Sequence, residues 1–465
     1  QKREENKLRS SMKETKIVLI GSGSQFTEFF LQELFKYDEF GECTLALVDR
    51  RSKRLEQEVK LAKTLNRVLG WNVNVLGYTE RKDALQDATF VYCYVAVNSK
   101  EAWAKEFELC QKHGLNPYEA YTAGAPGLGM AIRHVPVMLD ICRDIEAICP
   151  DAWLILDNNP LAKILAALVK YTKVKCVGYC NGHEMIVMAL EQLLGLTGRD
   201  QTMQNADPIQ REFMVPAGNV DVLLAGVNHL QWALDIRETA GGADLYPKIR
   251  RMLHEINTER VPAGYRFIAE ICRKFDYICS PADNHVGDYI WCIDRITEKR
   301  TGLEPYPVDQ WFGGRDADAW AEIAGSIGDD ESARGFVAQR RLGWMSLQIA
   351  RYMLTGGQKY FPAINLPNRG AISNLDDDTI VEVPGVIGPN SVRAVNVGPL
   401  PQAVAPICQL HGAISNLVAQ AAATGSRDMA QQALLLDPYV QSITRAEKLL
   451  DDILEYNKQY ETRFD

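Results

Sequence analysis

The sequence lacks the features of a membrane-spanning, secreted or nucleic-acid-binding protein. No apolar stretch is long enough to cross a bilayer, and the segment 1–11 is charged and has no apolar signal-peptide core. The formal net charge of -9 disfavours a polyanionic partner such as nucleic acid. The 11 cysteines include no CxxC pair, and a dispersed, odd set is typical of free thiols in a reducing compartment. We therefore predict a cytoplasmic protein with no nucleic-acid or membrane partner.

Length and composition indicate a soluble globular chain with more than one domain. Hydrophobic residues make up 46% and charged residues 24%, which is ordinary for such proteins. A chain of 465 residues exceeds what a single hydrophobic core usually holds. We predict a disordered leader over residues 1–13, a first domain over 14–195 and a second domain over 196–465.

The first half of the chain alternates short apolar runs with helical stretches. The runs that predict strands are Lys16–Ile20, Cys43–Val48, Asn72–Leu76, Thr89–Val97, Trp153–Leu156 and Val174–Tyr179. Because most of these runs are apolar throughout, they suit strands that are covered on both faces. Their alternation with helices predicts an α/β fold with a parallel, doubly wound Rossmann sheet. The second half mixes strands, near 213–236 and 380–397, with helices and predicts an α+β domain.

A glycine-containing turn follows the first predicted strand directly. Gly21 and Gly23 permit a tight turn and a close backbone approach, and the next helix would point its positive end at a pyrophosphate. Ser24, Gln25 and Phe26 complete the segment, with Phe26 standing where a third small residue is usual. The placement between a strand and a helix predicts a dinucleotide-binding site.

Asp49 ends the second predicted strand. A carboxylate there accepts hydrogen bonds from ribose hydroxyls and repels a 2′-phosphate, so it favours NAD over NADP. Arg50, which follows it, and Asn98, which follows the fourth strand, are further candidate cofactor contacts. The alternative is an ordinary turn followed by a surface aspartate.

Polar residues follow other apolar runs, at strand ends where open α/β sheets bind ligands. Cys180 and His229 could supply a sulfur and an imidazole to one divalent cation, although a buried cysteine is more often a core residue. Between 283 and 289 the sequence is dense in acid–base groups, and Asp283, His285 or Tyr289 could act as a general base. The alternative for this segment is a solvated turn that leads into a helix.

Several motifs in one order resemble the NAD- and metal-dependent glycoside hydrolases of family 4, from about Lys16 to about Tyr460. Gly21 begins a turn similar to the family's GAGSxxFT, and Arg133 falls on the arginine of its glycine-rich segment. Other segments that fit are Asn159-Pro160, Gly226–Trp232 (GVNHLQW), Asn365–Asn368 (NLPN), Val381–Pro384 (VEVP) and Ala433–Pro438 (ALLLDP). This resemblance implies the second-domain fold shared by lactate dehydrogenases and family 4 glycosidases.

The resemblance implies roles for individual residues. It places the two metal ligands on Cys180 and His229, and it assigns sugar binding to Asn159, with Arg133 and Asn228 as further substrate contacts.

Two motifs point to different branches of the family. His285–Tyr289 (HVGDY) is similar to the HLSEY of α-galactosidases, α-glucosidases and α-glucuronidases. Asn181 after Cys180 is instead like the phospho-β-glycosidases, so the anomer stays open.

The implied reaction explains why a hydrolase would need a redox cofactor. NAD+ transiently oxidises C3 of the sugar, a base removes the C2 proton, the C1 group is eliminated and water adds, while Mn2+ or another divalent cation stabilises charge on the sugar oxygens. Asp283, His285 and Tyr289 compete for the base; His183, as the acid or as a structural residue, and Asn181 are the other catalytic candidates.

Three other functions compete with this one: a lactate/malate-type 2-hydroxyacid dehydrogenase, a phospho-β-glycosidase of the same family, and a non-catalytic NAD sensor. We expect a homodimer or homotetramer that acts on a small glycoside.

Overall fold

The computed structural model describes residues 15–118, 121–194, 220–280, 282–305, 316–338, 345–461 and 463–464. The predicted leader and the predicted domain boundary at 195 lie outside these ranges. Within them, no helix combines the length and apolar character needed to cross a membrane.

Parallel strands form the first half of one sheet. They are β1 (Lys16–Ile20), β2 (Thr44–Val48), β3 (Asn74–Tyr78), β4 (Phe90–Cys93), β5 (Trp153–Leu156) and β6 (Lys175–Gly178), in the order β3-β2-β1-β4-β5-β6. The strands β1, β2 and β4 are almost wholly buried, which explains why they are apolar throughout. The predicted doubly wound sheet is confirmed, although β4 ends at Cys93 rather than at Val97.

The same sheet continues into the second half of the chain. Its other strands are β7 (Val220–Val227), β8 (Leu230–Glu238), β9 (Cys279–Ser280), β10 (Lys359–Pro367), β11 (Ile380–Gly388) and β12 (Ser391–Ala394). After β6 the order is β10-β11-β7-β8-β9, and β12 pairs with β11. All of these pairings are antiparallel, and β10 joins the two halves where Asn365 lies opposite Gly178.

Helices cover both faces of the sheet. The longer ones in the first half are α1 (Phe26–Leu34), α2 (Ser52–Val68), α4 (Ser99–Lys112), α5 (Gly124–Ile148), α6 (Leu161–Tyr171) and α7 (Gly182–Leu194), with the short α3 (Arg81–Leu85) between α2 and α4. The second half adds α8 (Tyr246–Glu255), α9 (Arg266–Phe275), α10 (Asp283–Gly287), α11 (Arg295–Thr301), α12 (Ala317–Ser326), α13 (Asp330–Ala338), α14 (Ser346–Thr355), α15 (Ala405–Thr424), α16 (Arg427–Leu436) and α17 (Ile443–Asn457).

Two hydrophobic layers enclose the parallel strands. On one face α5 and α6 pack together with the C-terminal helices α15, α16 and α17. On the other face α1 and α2 pack together with α12, α13 and α14. A third cluster surrounds β7, β8 and β11. Helices after residue 316 therefore pack on the parallel strands β1–β6, so the two halves of the chain share a hydrophobic core.

Candidate active site

The glycine turn after β1 packs tightly against neighbouring backbone. Gly21 has a φ of 82°, and its N–H donates to the carbonyl of Val48 at 2.9 Å. A Cβ on Gly21 would lie 2.8 Å from the carbonyl carbon of Tyr94, so this position requires glycine. Ser24, Gln25 and Phe26 then lead half-buried into α1. The turn therefore lies between β1 and α1, as the sequence predicts.

Asp49 lies at this turn, as predicted, and hydrogen-bonds to the protein. Its Oδ2 accepts the N–H of Gly23 at 3.0 Å and also contacts Nη2 of Arg54, while Oδ1 accepts the N–H of Arg51 at 2.8 Å. A Cβ on Gly23 would lie 1.9 Å from the Arg54 guanidinium carbon, so this side chain covers the turn. Glu58 accepts a hydrogen bond at 2.5 Å from the Ser22 hydroxyl next to Gly23, and burial raises its pKa to about 7.

The other two predicted cofactor contacts lie on the surface. Arg50 is exposed beside Asp49. Asn98 is exposed with a φ of 43°, and its side-chain amide donates to the Tyr460 hydroxyl at 2.5 Å.

The predicted metal ligands come from the ends of β6 and β7. Cys180 follows β6 by two residues, and Asn228 and His229 form the turn between β7 and β8, where His229 is buried with a φ of 66°. Burial raises the pKa of the Cys180 thiol, and a hydrogen bond with Asn228 opposes that shift. The structure therefore places Cys180 near Asn228, the residue before His229.

The rings of His285 and Tyr121 lie beside the ring of His229. The rings of His229 and His285 are 4.8 Å apart and inclined by 31°. Tyr121 meets both edge-on, at 5.7 Å from His229 and 6.4 Å from His285. Nδ1 of His285 lies 3.2 Å from Oδ1 of Asn284, which fixes the ring. The structure therefore brings one candidate base, His285, to a predicted metal ligand, and the sequence analysis did not identify Tyr121.

Two hydroxyls link the segment before α5 to the same place. Tyr289 donates to the carbonyl of Asn228 at 3.0 Å and lies 3.4 Å from Oγ1 of Thr122. That oxygen is also 3.4 Å from Nδ1 of His229. Thr122, Asn228 and Tyr289 line a narrow cavity together with Pro160. Tyr289 therefore belongs to the site, where its hydroxyl already donates to a backbone carbonyl.

Glu382, in the segment Val381–Pro384 (VEVP), is the main residue to which the sequence analysis assigned no role. It lies fully buried in β11, and its Oε2 accepts hydrogen bonds from Asn228 at 3.0 Å and Gln231 at 2.7 Å. Burial raises its pKa to about 7, and its charge contributes to the raised pKa of Cys180. A Cβ on Gly182 would lie 2.5 Å from Glu382 Oε1, so α7 begins directly against this carboxyl. The sequence does contain a sign of this residue, because Glu382 is a carboxylate inside an otherwise apolar run.

Two predicted site residues have other contacts. Both oxygens of Asp283 accept backbone N–H groups at the start of α9, from Phe267 at 3.0 Å and Ile268 at 2.8 Å. Arg133 is buried in an ion pair with Glu106, and its Nη1 also donates to Asn457 at 2.8 Å. Asp283 caps a helix and Arg133 ties helices together, so neither side chain is presented to a sugar in this structure.

The remaining candidates lie at the starts of α6 and α7. Asn159 is half-buried, precedes a cis peptide bond to Pro160, and its Oδ1 accepts the N–H of Leu161 at 3.3 Å. Asn181 Oδ1 lies 3.8 Å from the Cys180 sulfur. His183 is half-buried in the first turn of α7, next to Glu184.

Two models of one protein family match most of the chain. The model of the family 4 glycosyl hydrolases matches residues 16–196, and that of the family's C-terminal domain matches residues 224–440.

Individual relatives match over nearly their whole length. An α-galactosidase of Bacillus subtilis (strain 168) is 28% identical, with 94% of this chain and 95% of the relative covered. A probable 6-phospho-β-glucosidase of the same strain is 26% identical, with 97% and 98% covered. A 6-phospho-α-glucosidase from gut microorganisms, solved with NAD and Mn2+, superposes with a TM-score of 0.72 at 20% identity, with 96% and 98% covered.

Proposed function

The chain belongs to the family 4 glycosyl hydrolases, and from this premise we propose that it cleaves a glycosidic bond with NAD and a divalent cation, preferably Mn2+. One observation carries the proposal. Cys180, Asn228 and His229 follow β6 and β7, and the ring of His285 packs on His229, in a chain that has a glycine turn between β1 and α1. When bound, the nicotinamide supplies a hydride acceptor and the cation supplies Lewis-acid stabilisation of negative charge on sugar oxygens.

The residues present fit both groups. Gly21 and Gly23 form a compact turn before α1, and a pyrophosphate would face the N-terminal end of that helix. In this structure their N–H groups donate to the carbonyl of Val48 and to Asp49. Among the described residues, no cluster of three or more His, Cys, Asp or Glu side chains could hold a metal. Cys180 and His229 would therefore hold a cation jointly with oxygens of the substrate or water, which suits a catalytic site that must admit a sugar.

Neighbouring residues would orient these two ligands. Oγ1 of Thr122 lies at Nδ1 of His229, which leaves Nε2 as the ring nitrogen that binds the cation. Glu382 holds the side chain of Asn228, and Asn228 in turn lies near the Cys180 thiol. A cation would take the place of the thiol proton, since metals bind the thiolate.

We assign the base that removes the C2 proton to His285. Its ring stacks on His229 and is fixed by Asn284. Tyr289 is the second candidate, but its hydroxyl proton is donated to the carbonyl of Asn228. Asp283 is the third, but its carboxylate accepts backbone N–H groups at the start of α9. A base must lie within hydrogen-bond reach of the proton that it removes. Because the sugar would bind at the cation, this requirement favours His285, whose ring packs on the ligand His229.

The sugar would be oriented by side chains around the cavity. We assign this role to Asn159 and Asn228, and we keep His183 and Asn181 as candidates for the acid that protonates the leaving group. Arg133 is left out because its guanidinium is buried in an ion pair.

The first experiment separates the competing functions. Nitrophenyl α- and β-glycosides, free and 6-phosphorylated, are incubated with the enzyme, NAD+, Mn2+ and a thiol reductant. We expect cleavage that requires all three additives without net NADH, on an unphosphorylated sugar; cleavage only of phosphorylated β-glycosides would select the phospho-β-glycosidase. Net NADH from a 2-hydroxy acid without added cation would instead select a dehydrogenase.

A matched pair of cysteine variants tests the metal site. Cys180→Ser should lose cation-dependent cleavage while it still binds NADH, whereas Cys292→Ser, at an exposed cysteine, should behave as the unaltered protein. Full activity of Cys180→Ser would overturn the metal assignment.

We also propose a reducing, cytoplasmic location and a homodimer or homotetramer. All eleven cysteines lie in the described part of the chain and are free, and the sulfurs of Cys272 and Cys279 are 3.7 Å apart without a bond. The exposed apolar side chains Leu435, Leu436 and Ile443 lie close together in the sequence, at the end of α16 and the start of α17, and would suit a subunit contact. Light scattering after gel filtration tests the assembly.

A further inference from the structure

A basic segment adjoins the dinucleotide turn. Residues 49–54 contain four cationic side chains, Arg50, Arg51, Lys53 and Arg54, and one carboxylate, Asp49, so their net charge is 4 − 1 = +3 in a chain whose net charge is -9. The N–H of Gly23 donates to Asp49, which places this segment directly against the turn. A local excess of positive charge at this point needs a physical reason.

Helix stability accounts only for Arg54, whose Nε lies 3.6 Å from Oε1 of Glu58 one turn further along α2. Lys53 and Arg54 occupy the first turn of α2, and this turn holds no acidic residue. The positive end of a helix dipole disfavours cations there by some tenths of a kcal/mol each. Arg50, Arg51 and Lys53 are exposed, whereas Arg54 turns inward across Gly23. The arrangement is therefore better explained by a negative ligand than by the helix itself.

The carboxylate of Asp49, which the sequence predicts to select NAD, is already hydrogen-bonded within the protein. A carboxylate has about four lone-pair positions, and here Gly23, Arg51 and Arg54 take three of them. The Arg54 guanidinium also balances the negative charge that would repel a 2′-phosphate. The Arg54 side chain is 16% exposed, and its Nε lies 3.6 Å from Oε1 of the buried Glu58. Planar guanidinium groups are well suited to bind phosphate through paired N–H donors.

We propose that the adenosine end of the site accepts a 2′-phosphate, so that the enzyme takes NADP as well as NAD. This inference rests on the proposed function and revises the expectation that Asp49 selects NAD. Arg54 binds the phosphate, Arg50 and Lys53 add to the positive field, and Asp49 keeps its bonds to the backbone N–H groups.

The test measures cofactor binding without turnover. The full-length enzyme is titrated with NADH and with NADPH, without sugar or metal, and binding is followed by nucleotide fluorescence. We expect the two dissociation constants to agree within about tenfold. Arg54→Gln should weaken NADPH binding by about tenfold, as for one charge-assisted hydrogen bond, and NADH binding by much less. Lys63→Gln, at an exposed cation further along α2, is the matched control.

A second variant covers the case in which Arg54→Gln does not fold. The exposed pair Arg50→Gln and Lys53→Gln should weaken NADPH binding selectively and should make it less sensitive to added salt. Binding of NADH with NADPH more than about a hundredfold weaker would overturn the inference while it leaves the proposed function standing. Failure of both nucleotides to bind would overturn the inference and the proposed function together.

Discussion

Replacing Arg133 with methionine should destabilise the protein and leave sugar binding unchanged. The side chains of Arg133 and Glu106 are both fully buried and form an ion pair, and Nη2 of Arg133 also donates to Oε2 of Glu106 at 3.2 Å. Asn457, in α17, accepts from the same guanidinium and donates back to Glu106 at 3.0 Å. The group therefore ties α4, α5 and α17 together. Arg133→Met leaves a buried carboxyl without its cation.

The expected size of the effect follows from this burial. Removal of one partner from a buried ion pair costs about 3–5 kcal/mol. Burial raises the pKa of Glu106, so that a carboxyl without its cation can take up a proton, which favours the lower end of this range. An unfolding entropy of about 2.1 cal/mol/K per residue over 465 residues gives about 1 kcal/mol/K. The melting temperature should therefore fall by roughly 3–5 °C.

Calorimetry and steady-state kinetics together check this prediction. The double variant Glu106→Leu with Arg133→Met replaces the pair by apolar groups and should lose less stability than the sum of its single variants. The KM for a cleavable glycoside should stay within about twofold of the unaltered enzyme in Arg133→Met. An unchanged melting temperature together with a tenfold higher KM would show that Arg133 contacts the sugar after all.

Three further changes test other parts of the structure. Burial lowers the pKa of His134 from 6.5 to about 4. Between pH 6.5 and pH 4 the unfolded chain therefore binds more protons than the folded protein, and the free energy of unfolding decreases as pH falls. In urea unfolding, His134→Gln should remove up to about 3 kcal/mol of that loss, and His254→Gln, at an exposed histidine, should not. Glu382→Gln should raise the Mn2+ concentration for half-maximal rate by about tenfold or more, because Glu382 holds the amide beside the thiol. Gly21→Ala should abolish NADH binding in a fluorescence titration, whereas Gly325→Ala, with open space around its Cβ, should bind normally.

The parallel half of the fold could be predicted because its strands are covered on both faces. The strand β10 was missed, since Pro362 and Pro367 argue against a strand in Lys359–Pro367. β10 has a register irregularity between Phe361 and Ile364, next to the first proline, and Pro367 is its last residue. Only the folded chain shows that this segment joins the two halves of the sheet.

The candidate site was predictable in part for a different reason. Cys180 and His229 occupy recognisable motifs, and the structure brings the thiol to the neighbour of His229. A motif gives a position along the chain but not the direction of a side chain, so Arg133 was assigned to the sugar although the packing of α5 turns it into the core. Glu382 is 154 residues from Asn228 in sequence, and no local pattern could reveal their contact.

The joining of β6 to β10 restricts how a glycoside can enter. A protein whose two lobes are linked by flexible segments can open like a clamshell, but here the lobes share one hydrogen-bonded sheet through Gly178 and Asn365. Pulling them apart would break backbone hydrogen bonds in the interior, each of which is expensive to leave unmade. We therefore expect a glycoside to enter and leave by movement of loops, while β1 and β6 keep their places in the shared sheet.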